Sequence, residues 1–198
     1  MREKTTPRLL MRQLRPSDFE TYANIYADAD AARFIGGRMD SHRAWRHMAA
    51  ILGHWALKGF GIWAIEARAS GTFIGCVGLW EPAGWPEIEL GYWIVPGMRG
   101  QGFALEASLE ARDFAYSILG LATLVSYIDP ANEPSKRLAE RLGATFETVI
   151  NLGGLGPHCV YRHPPPNKEP ASLGGSQEES AAAGSSRSAS PTPIGRPT

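Results

Sequence analysis

Between Glu87 and Ala115 the chain passes from strand to glycine turn to helix with no spacer, and few folds accommodate that junction. Glu87-Ile-Glu-Leu-Gly-Tyr-Trp-Ile-Val95 is rich in β-formers and alternates in face. Glu87, Glu89, Gly91, Trp93 and Val95 fall on one side, and Ile88, Leu90, Tyr92 and Ile94 on the other. Pro96-Gly97 stops the strand, because proline has no N–H to continue a ladder. Beyond Met98-Arg-Gly-Gln-Gly-Phe-Ala104 the spacing predicts an amphipathic helix reaching about Leu119. Its apolar stripe is Phe103, Ala107, Ala111, Phe114 and Ile118, with Glu106, Glu110 and Asp113 on the other side.

The first N–H groups of a helix lack intrahelical partners, and the macrodipole adds partial positive charge there. Gly100 and Gly102 let the backbone approach an anion closely, and Arg99 adds a full charge. A pyrophosphate suits such a turn. Three phosphate-binding readings compete. A P-loop has the Gly97 and Gly102 spacing, but Phe103-Ala104 stand where its lysine and hydroxyl belong, which argues against nucleoside-triphosphate hydrolysis. A dinucleotide G-x-G-x-x-G is met at Gly100 and Gly102, but Leu105 occupies the third glycine position. The remaining pattern is Arg99-x-x-Gly102-x-Ala104, read with the rest of the chain.

With 198 residues the chain is long enough for one domain with a sizeable core. Its formal net charge of zero implies no general attraction to nucleic acid or to an anionic membrane. No apolar run reaches membrane-spanning length, and Met-Arg-Glu-Lys-Thr-Thr has no signal-peptide core, so a cytoplasmic protein is expected. Cys76 lies in an apolar run and reads as a small buried hydrophobe. The five histidines and two cysteines are scattered, and no metal site is expected.

In chain order, Arg8 to Arg15 reads as a first strand ended by Pro16, and Ser17-Asp18 as the N-cap of a helix carrying Phe19, Tyr22, Ala23 and Tyr26. After Gly36-Gly37 a second helix is predicted from near Ser41 to about Leu57, with Trp45, Met48, Ala49, Leu52 and Trp55 on its stripe. Gly59–Glu66, Phe73–Trp80 and Glu87–Val95 form a meander whose short connections imply antiparallel neighbours. Ala122–Ile128 follows the central helix as a strand parallel to Glu87–Val95. A helix from Glu133 to Leu142 is closed by Gly143, with Leu138, Ala139 and Leu142 buried. Ala144–Leu152 and Pro157–Arg162 form a final hairpin through Gly153-Gly154. Residues 1–163 thus form the domain. Residues 164–198, dominated by Pro, Gly, Ser and Ala, read as a disordered tail, because they bury too little to offset ordering entropy.

This order of elements resembles the GCN5-related N-acetyltransferase (GNAT) fold over roughly Arg8 to Arg162. Arg99-x-x-Gly102-x-Ala104 resembles the family's pyrophosphate motif. Glu89-Leu-Gly-Tyr-Trp-Ile-Val-Pro ahead of it is similar to the RimJ/RimL-type branch, as is Asn132-Glu-Pro-Ser135 leading into Leu138-Ala-Glu-Arg-Leu-Gly-Ala144. The resemblance implies an α/β fold: a mixed, mostly antiparallel sheet with one splayed parallel strand pair and helices on both faces. It implies acetyl transfer from acetyl-CoA to an amine acceptor, a peptide N-terminus or a small molecule, without a metal.

By that resemblance, backbone at Ile94 and Val95 holds the pantetheine arm. Arg99, Gly100, Gln101, Gly102, Phe103 and Ala104 hold the pyrophosphate, and Asn132 and Ser135 lie along the pantetheine and near the sulfur. The reaction needs a proton acceptor. Glu89 is the candidate base, and Glu87, two residues earlier on the same face, competes with it. Ser135 is the candidate donor to the leaving thiolate, with Tyr127 as an alternative. Asn132 also reads simply as a helix N-cap. Phe34 in the loop between the first helices, Trp80, Trp85 and Glu87 are the candidate acceptor contacts. A homodimer is compatible with the family. The rival readings are a non-catalytic acyl-CoA-binding module and a scaffold acting through its tail.

Overall fold

A computed structural model of the chain describes residues 3–165. The predicted tail lies outside the described residues, apart from Pro164 and Pro165. The domain opens with β1 (Lys4–Thr5), β2 (Leu9–Arg12), α1 (Phe19–Ala27), α2 (Ala29–Ala32) and α3 (Ser41–Lys58). The meander is β3 (Ile62–Ala67), β4 (Thr72–Trp80) and β5 (Glu89–Ile94), followed by α4 (Phe103–Asp113). It ends with β6 (Val125–Ile128), α5 (Glu133–Arg141), β7 (Thr145–Leu152) and β8 (Gly156–Arg162). Among the described residues the strands form one sheet in the order β1-β2-β3-β4-β5-β6-β8-β7. Only β5 and β6 pair in parallel, as the strand–helix–strand order requires. The α/β class and the mixed, mostly antiparallel sheet agree with expectation; β1 and α2 are additions.

Apolar layers lie on both faces of the sheet. On one, Ala107, Ala111 and Phe114 pack with Trp63, Leu90, Leu124 and Leu142. On the other, Tyr22 and Tyr26 of α1 and Ala44, Met48 and Ile51 of α3 pack with Ala64, Phe73 and Cys76. Each fully buried large side chain contributes about 1.5–3 kcal/mol. Cys76 is buried, as its apolar setting predicted.

Three local expectations are corrected. Asp18 does not cap α1: its carboxylate binds the buried Arg12 guanidinium at 2.7 and 2.8 Å and accepts the Arg15 N–H at 2.8 Å. A buried cation needs a partner more than a helix end needs a cap. The buried stripe of α3 runs through Ala44, Met48, Ile51 and Trp55, which leaves Trp45 one position round the helix and 59% exposed. The central helix widens into a π turn over Phe114–Ile118, and Leu119 N–H reaches Phe114 C=O at 3.1 Å. The wider turn breaks the 3.6-residue repeat and takes Ile118 off the stripe.

Candidate active site

The parallel pairing of β5 with β6 ends almost as it begins. Glu89 opposite Val125 is its one register pair, with Val125 N–H on Ile88 C=O at 3.3 Å. Beyond it, the two strands diverge into a gap. Alternation along the β4–β5 ladder turns the backbone of Leu90, Tyr92 and Ile94 toward this gap. Val95 is therefore corrected as a backbone contact. Its N–H donates to Ile74 C=O of β4 at 2.9 Å and its C=O accepts Met98 N–H of the following turn at 2.9 Å, so both groups are already used. Ile94 does face the gap, and its C=O accepts Arg99 Nε at 2.9 Å.

Glu89 stands where the gap opens. Burial pushes its pKa up to about 7, while the Trp85 indole N–H, at 2.9 Å, and the Tyr127 backbone amide favour the charged form. Trp80 is its cross-strand partner and stacks on His54, with ring centroids 4.6 Å apart. Trp85 also packs edge-on to Tyr127 at 6.2 Å. The face next to Glu89 is open: a Cβ added at Gly91 would meet only Glu89 Oε1, at 3.8 Å. Carboxylate, indole and phenol thus form one cluster beside Gly91.

Glu87 is separated from this cluster chemically. Arg162 grips it with two N–H···O bonds of 2.9 Å, and this pairing holds its pKa below the usual carboxylate value. Arg162 also binds Glu147 and Thr123. Phe34 lies under the guanidinium of its neighbour Arg33, 4.9 Å from the ring centroid. Among the described residues none of its aromatic contacts reaches Trp80, Trp85 or Glu89.

The glycine turn sits at the far end of β5. Gly100 and Gly102 both adopt left-handed backbone, at φ 76° and 82°. Gly102 is the N-cap of α4 and has no side chain, and among the described residues no side chain caps the first N–H groups of the helix. Gln101 is exposed, and its side-chain amide lies 3.5 Å from Gly97 C=O. Phe103 and Ala104 form the half-buried first turn. Arg8 of the loop before β2 braces the turn from behind, donating to Gln101 C=O at 2.9 Å and to Glu106 at 2.6 Å while covering the Phe103 ring at 4.5 Å. No local pattern points to Arg8, because its partners are more than 90 residues away.

On the other strand of the gap, Asn132 caps α5 by accepting Ser135 N–H at 3.3 Å. Tyr92 OH donates to Ser135 C=O at 3.0 Å, which ties the start of α5 to β5. The Tyr127 hydroxyl is buried with no hydrogen bond of good geometry among the described residues, and burial pushes its pKa up to about 12. Ser126 and His163, neither singled out from the sequence, meet in the same region. Ser126 Oγ donates to Leu90 C=O at 2.7 Å and lies 3.0 Å from His163 Nε2. A hydroxyl within an otherwise apolar strand was the available signal for Ser126; none marked His163.

Among the described residues, no group of His, Cys, Asp and Glu could hold a metal ion, and no helix is long and apolar enough to cross a membrane. Residues 8–145 match the acetyltransferase (GNAT) domain family. An uncharacterized N-acetyltransferase of Bacillus subtilis, YoaA, is 29% identical over 148 residues, covering 73% of this chain and 84% of that protein. The crystal structure of an acetyltransferase from Agrobacterium tumefaciens aligns with a TM-score of 0.77 at 33% identity, over 83% of this chain and 95% of that one. The ribosomal-protein-S5-alanine acetyltransferase of Vibrio fischeri shares the fold, with a TM-score of 0.66 at 16% identity over 86% of this chain and all of that one. A strand gap, an uncapped helix behind a glycine turn and this family match agree: the chain belongs to the GNAT acetyltransferase family.

Proposed function

We propose that the protein transfers the acetyl group of acetyl-CoA to a primary amine by direct attack in a ternary complex, with Glu89 as the base. The observation that carries this reading is the Glu89 carboxyl, poised near pH 7 at the mouth of the strand gap and beside the open face above Gly91. Such a group accepts a proton from an ammonium near neutrality and releases it to solvent afterwards. The amine nitrogen bonds to the thioester carbonyl carbon, the C–S bond breaks, and the sulfur leaves as thiolate.

The chain's own groups fit acetyl-CoA. The first-turn N–H groups of α4 and the Arg99 guanidinium, held to the Ile94 carbonyl through Nε, suit the pyrophosphate, and the gap-facing Tyr92 backbone and Ile94 N–H suit the pantetheine amides. Gap-facing N–H groups also favour charge developing on the carbonyl oxygen. Asn132 keeps its side-chain N–H groups for the pantetheine while its Oδ1 caps α5. Ser135 is the proposed donor to the departing sulfur, and Tyr127, whose phenol stays protonated, competes for that role. Trp80 and Trp85 wall the acceptor recess. The acceptor is proposed as a peptide N-terminus or a small amine; the Vibrio fischeri likeness is one of fold and does not choose between them.

The test is a thermal melt with acetyl-CoA, NADH or ATP, followed by CoA release with a panel of amines. Acetyl-CoA at about 100 times Kd stabilises the fold by about 2.7 kcal/mol. A shift with a control nucleotide instead refutes the reading of the glycine turn. Binding without release in any amine mixture refutes turnover.

A further inference from the structure

A side-chain hydrogen bond sits at the apex of the strand gap, on the first carbonyl beyond the pairing. In a continued parallel ladder the Tyr127 N–H would donate to Leu90 C=O. That carbonyl is instead occupied by the Ser126 hydroxyl at 2.7 Å, and the register pairing stops at Glu89 and Val125. Off the ladder, the Tyr127 amide favours the charged form of Glu89. Ser126 has one hydroxyl proton, which it gives to Leu90, so the 3.0 Å contact with His163 requires the imidazole to donate through Nε2–H. Burial, reinforced by Arg112, keeps His163 neutral by lowering its pKa to about 4, which suits a fixed tautomer. His163 is itself held, because its backbone N–H binds Leu124 C=O at 2.9 Å. All three partners are buried: Ser126 and His163 are each 2% exposed and Leu90 1%.

We propose that Ser126 and His163 are a positioning pair for the transferase site: the hydroxyl, aimed by the imidazole, blocks the next rung of the β5–β6 ladder and holds open the gap that receives the pantetheine arm. The proposal rests on the acetyl-CoA reading for its ligand, but the wedge itself is a property of the free protein. Neither residue touches the acetyl group. Their effect passes through the Leu90 carbonyl and through the Tyr127 amide left to Glu89. Substituting alanine for Ser126 frees the Leu90 carbonyl, whose natural replacement donor is the Tyr127 N–H, so the strands zip by one rung. A closed rung narrows the entry and takes the Tyr127 amide from Glu89.

Ligand-free amide hydrogen exchange on the full chain tests the wedge directly. In S126A the Tyr127 amide exchanges more slowly than in the parent, whereas S126T keeps the parental rate because it retains the hydroxyl. H163A follows S126A, and H163Q, which retains a donor near the Nε2 position, follows the parent. Acetyl-CoA affinity is then measured on the same set, with about tenfold weaker binding expected for S126A and H163A only. Unchanged exchange at Tyr127 in S126A overturns the wedge. Weaker binding by all four variants alike also overturns it, since that marks general damage. A parent that fails to bind acetyl-CoA counts against the proposed function, while the exchange data still decide the wedge.

Discussion

The Trp85 indole donates its N–H to the Glu89 carboxylate at 2.9 Å, across the turn that leads into β5. Burial works against the charge on Glu89, and the indole works for it. The balance sets a carboxyl near pH 7 rather than one that is always ionised or always neutral. That balance makes the indole a tuning group.

Replacing Trp85 with phenylalanine keeps an aromatic ring and removes the donor. A hydrogen bond to a charged group is worth about 1.5–3 kcal/mol, and one pKa unit corresponds to about 1.4 kcal/mol. The low end of that range moves the acid limb of kcat/KM up by about one pH unit. A pH–rate profile of W85F that overlays the parent shows that the indole does not tune the base.

Changing Glu89 to glutamine lowers kcat by about a hundredfold or more and leaves acetyl-CoA affinity nearly unchanged. It also alters stability with a defined sign. The pKa of Glu89 rises from 4.5 to about 7 on folding, so between those values the folded protein binds more protons than the unfolded chain. The stabilisation this provides is complete below 4.5 and is lost as pH rises through about 7. Denaturant titrations across this window therefore show the parent losing stability relative to E89Q as pH rises. Parallel curves contradict the assignment.

Changing Glu87 to glutamine separates the two carboxylates functionally. Glu87 is committed to Arg162, and the pair is about one-third exposed on each side. E87Q costs less than about 1 kcal/mol and leaves the acid limb of the pH profile in place. A displaced limb in E87Q assigns the titration to Glu87 and removes Glu89 as base.

Substituting valine for Gly102 affects the turn twice over. Its φ of 82° is unfavourable for a β-branched residue, and an added Cβ would approach Arg8 Nη2 at 3.4 Å. Left-handed backbone costs an L-residue about 1–2 kcal/mol, so a measurable loss of stability accompanies at least tenfold weaker acetyl-CoA binding. Calorimetric titration of the folded variant reads the second effect separately from the first. Parental affinity in a folded G102V moves the anion site away from this turn.

Much of the fold was legible locally. The Glu87–Val95 alternation, the Pro96-Gly97 stop and the Gly100 and Gly102 turn depend on neighbours within a few residues, and each appears where expected within a residue or two. Glu89 was separable from Glu87 only by looking across the sheet, because the distinction lies in Arg162, 75 residues after Glu87. Phe34 was drawn to the acceptor by analogy of position, and its ring carries the guanidinium of Arg33. The Val95 expectation failed because the strand alternation settles which side chains share a face, while the partner strand settles which carbonyls and amides are taken.

By itself the sequence determined the order of elements, the uncapped glycine entry to α4, the Asn132 cap and the face that Glu89 shares with Trp93. These follow from backbone propensity and periodicity, which act over short chain distances. Only the tertiary structure decided that Arg8 braces the turn, that Arg162 pairs with Glu87, that Trp85 donates to Glu89, and that the Ser126 hydroxyl occupies the Leu90 carbonyl beside His163. Charge, burial and hydrogen-bond competition are properties of a place in space, and these residues reach a common place only when the sheet forms.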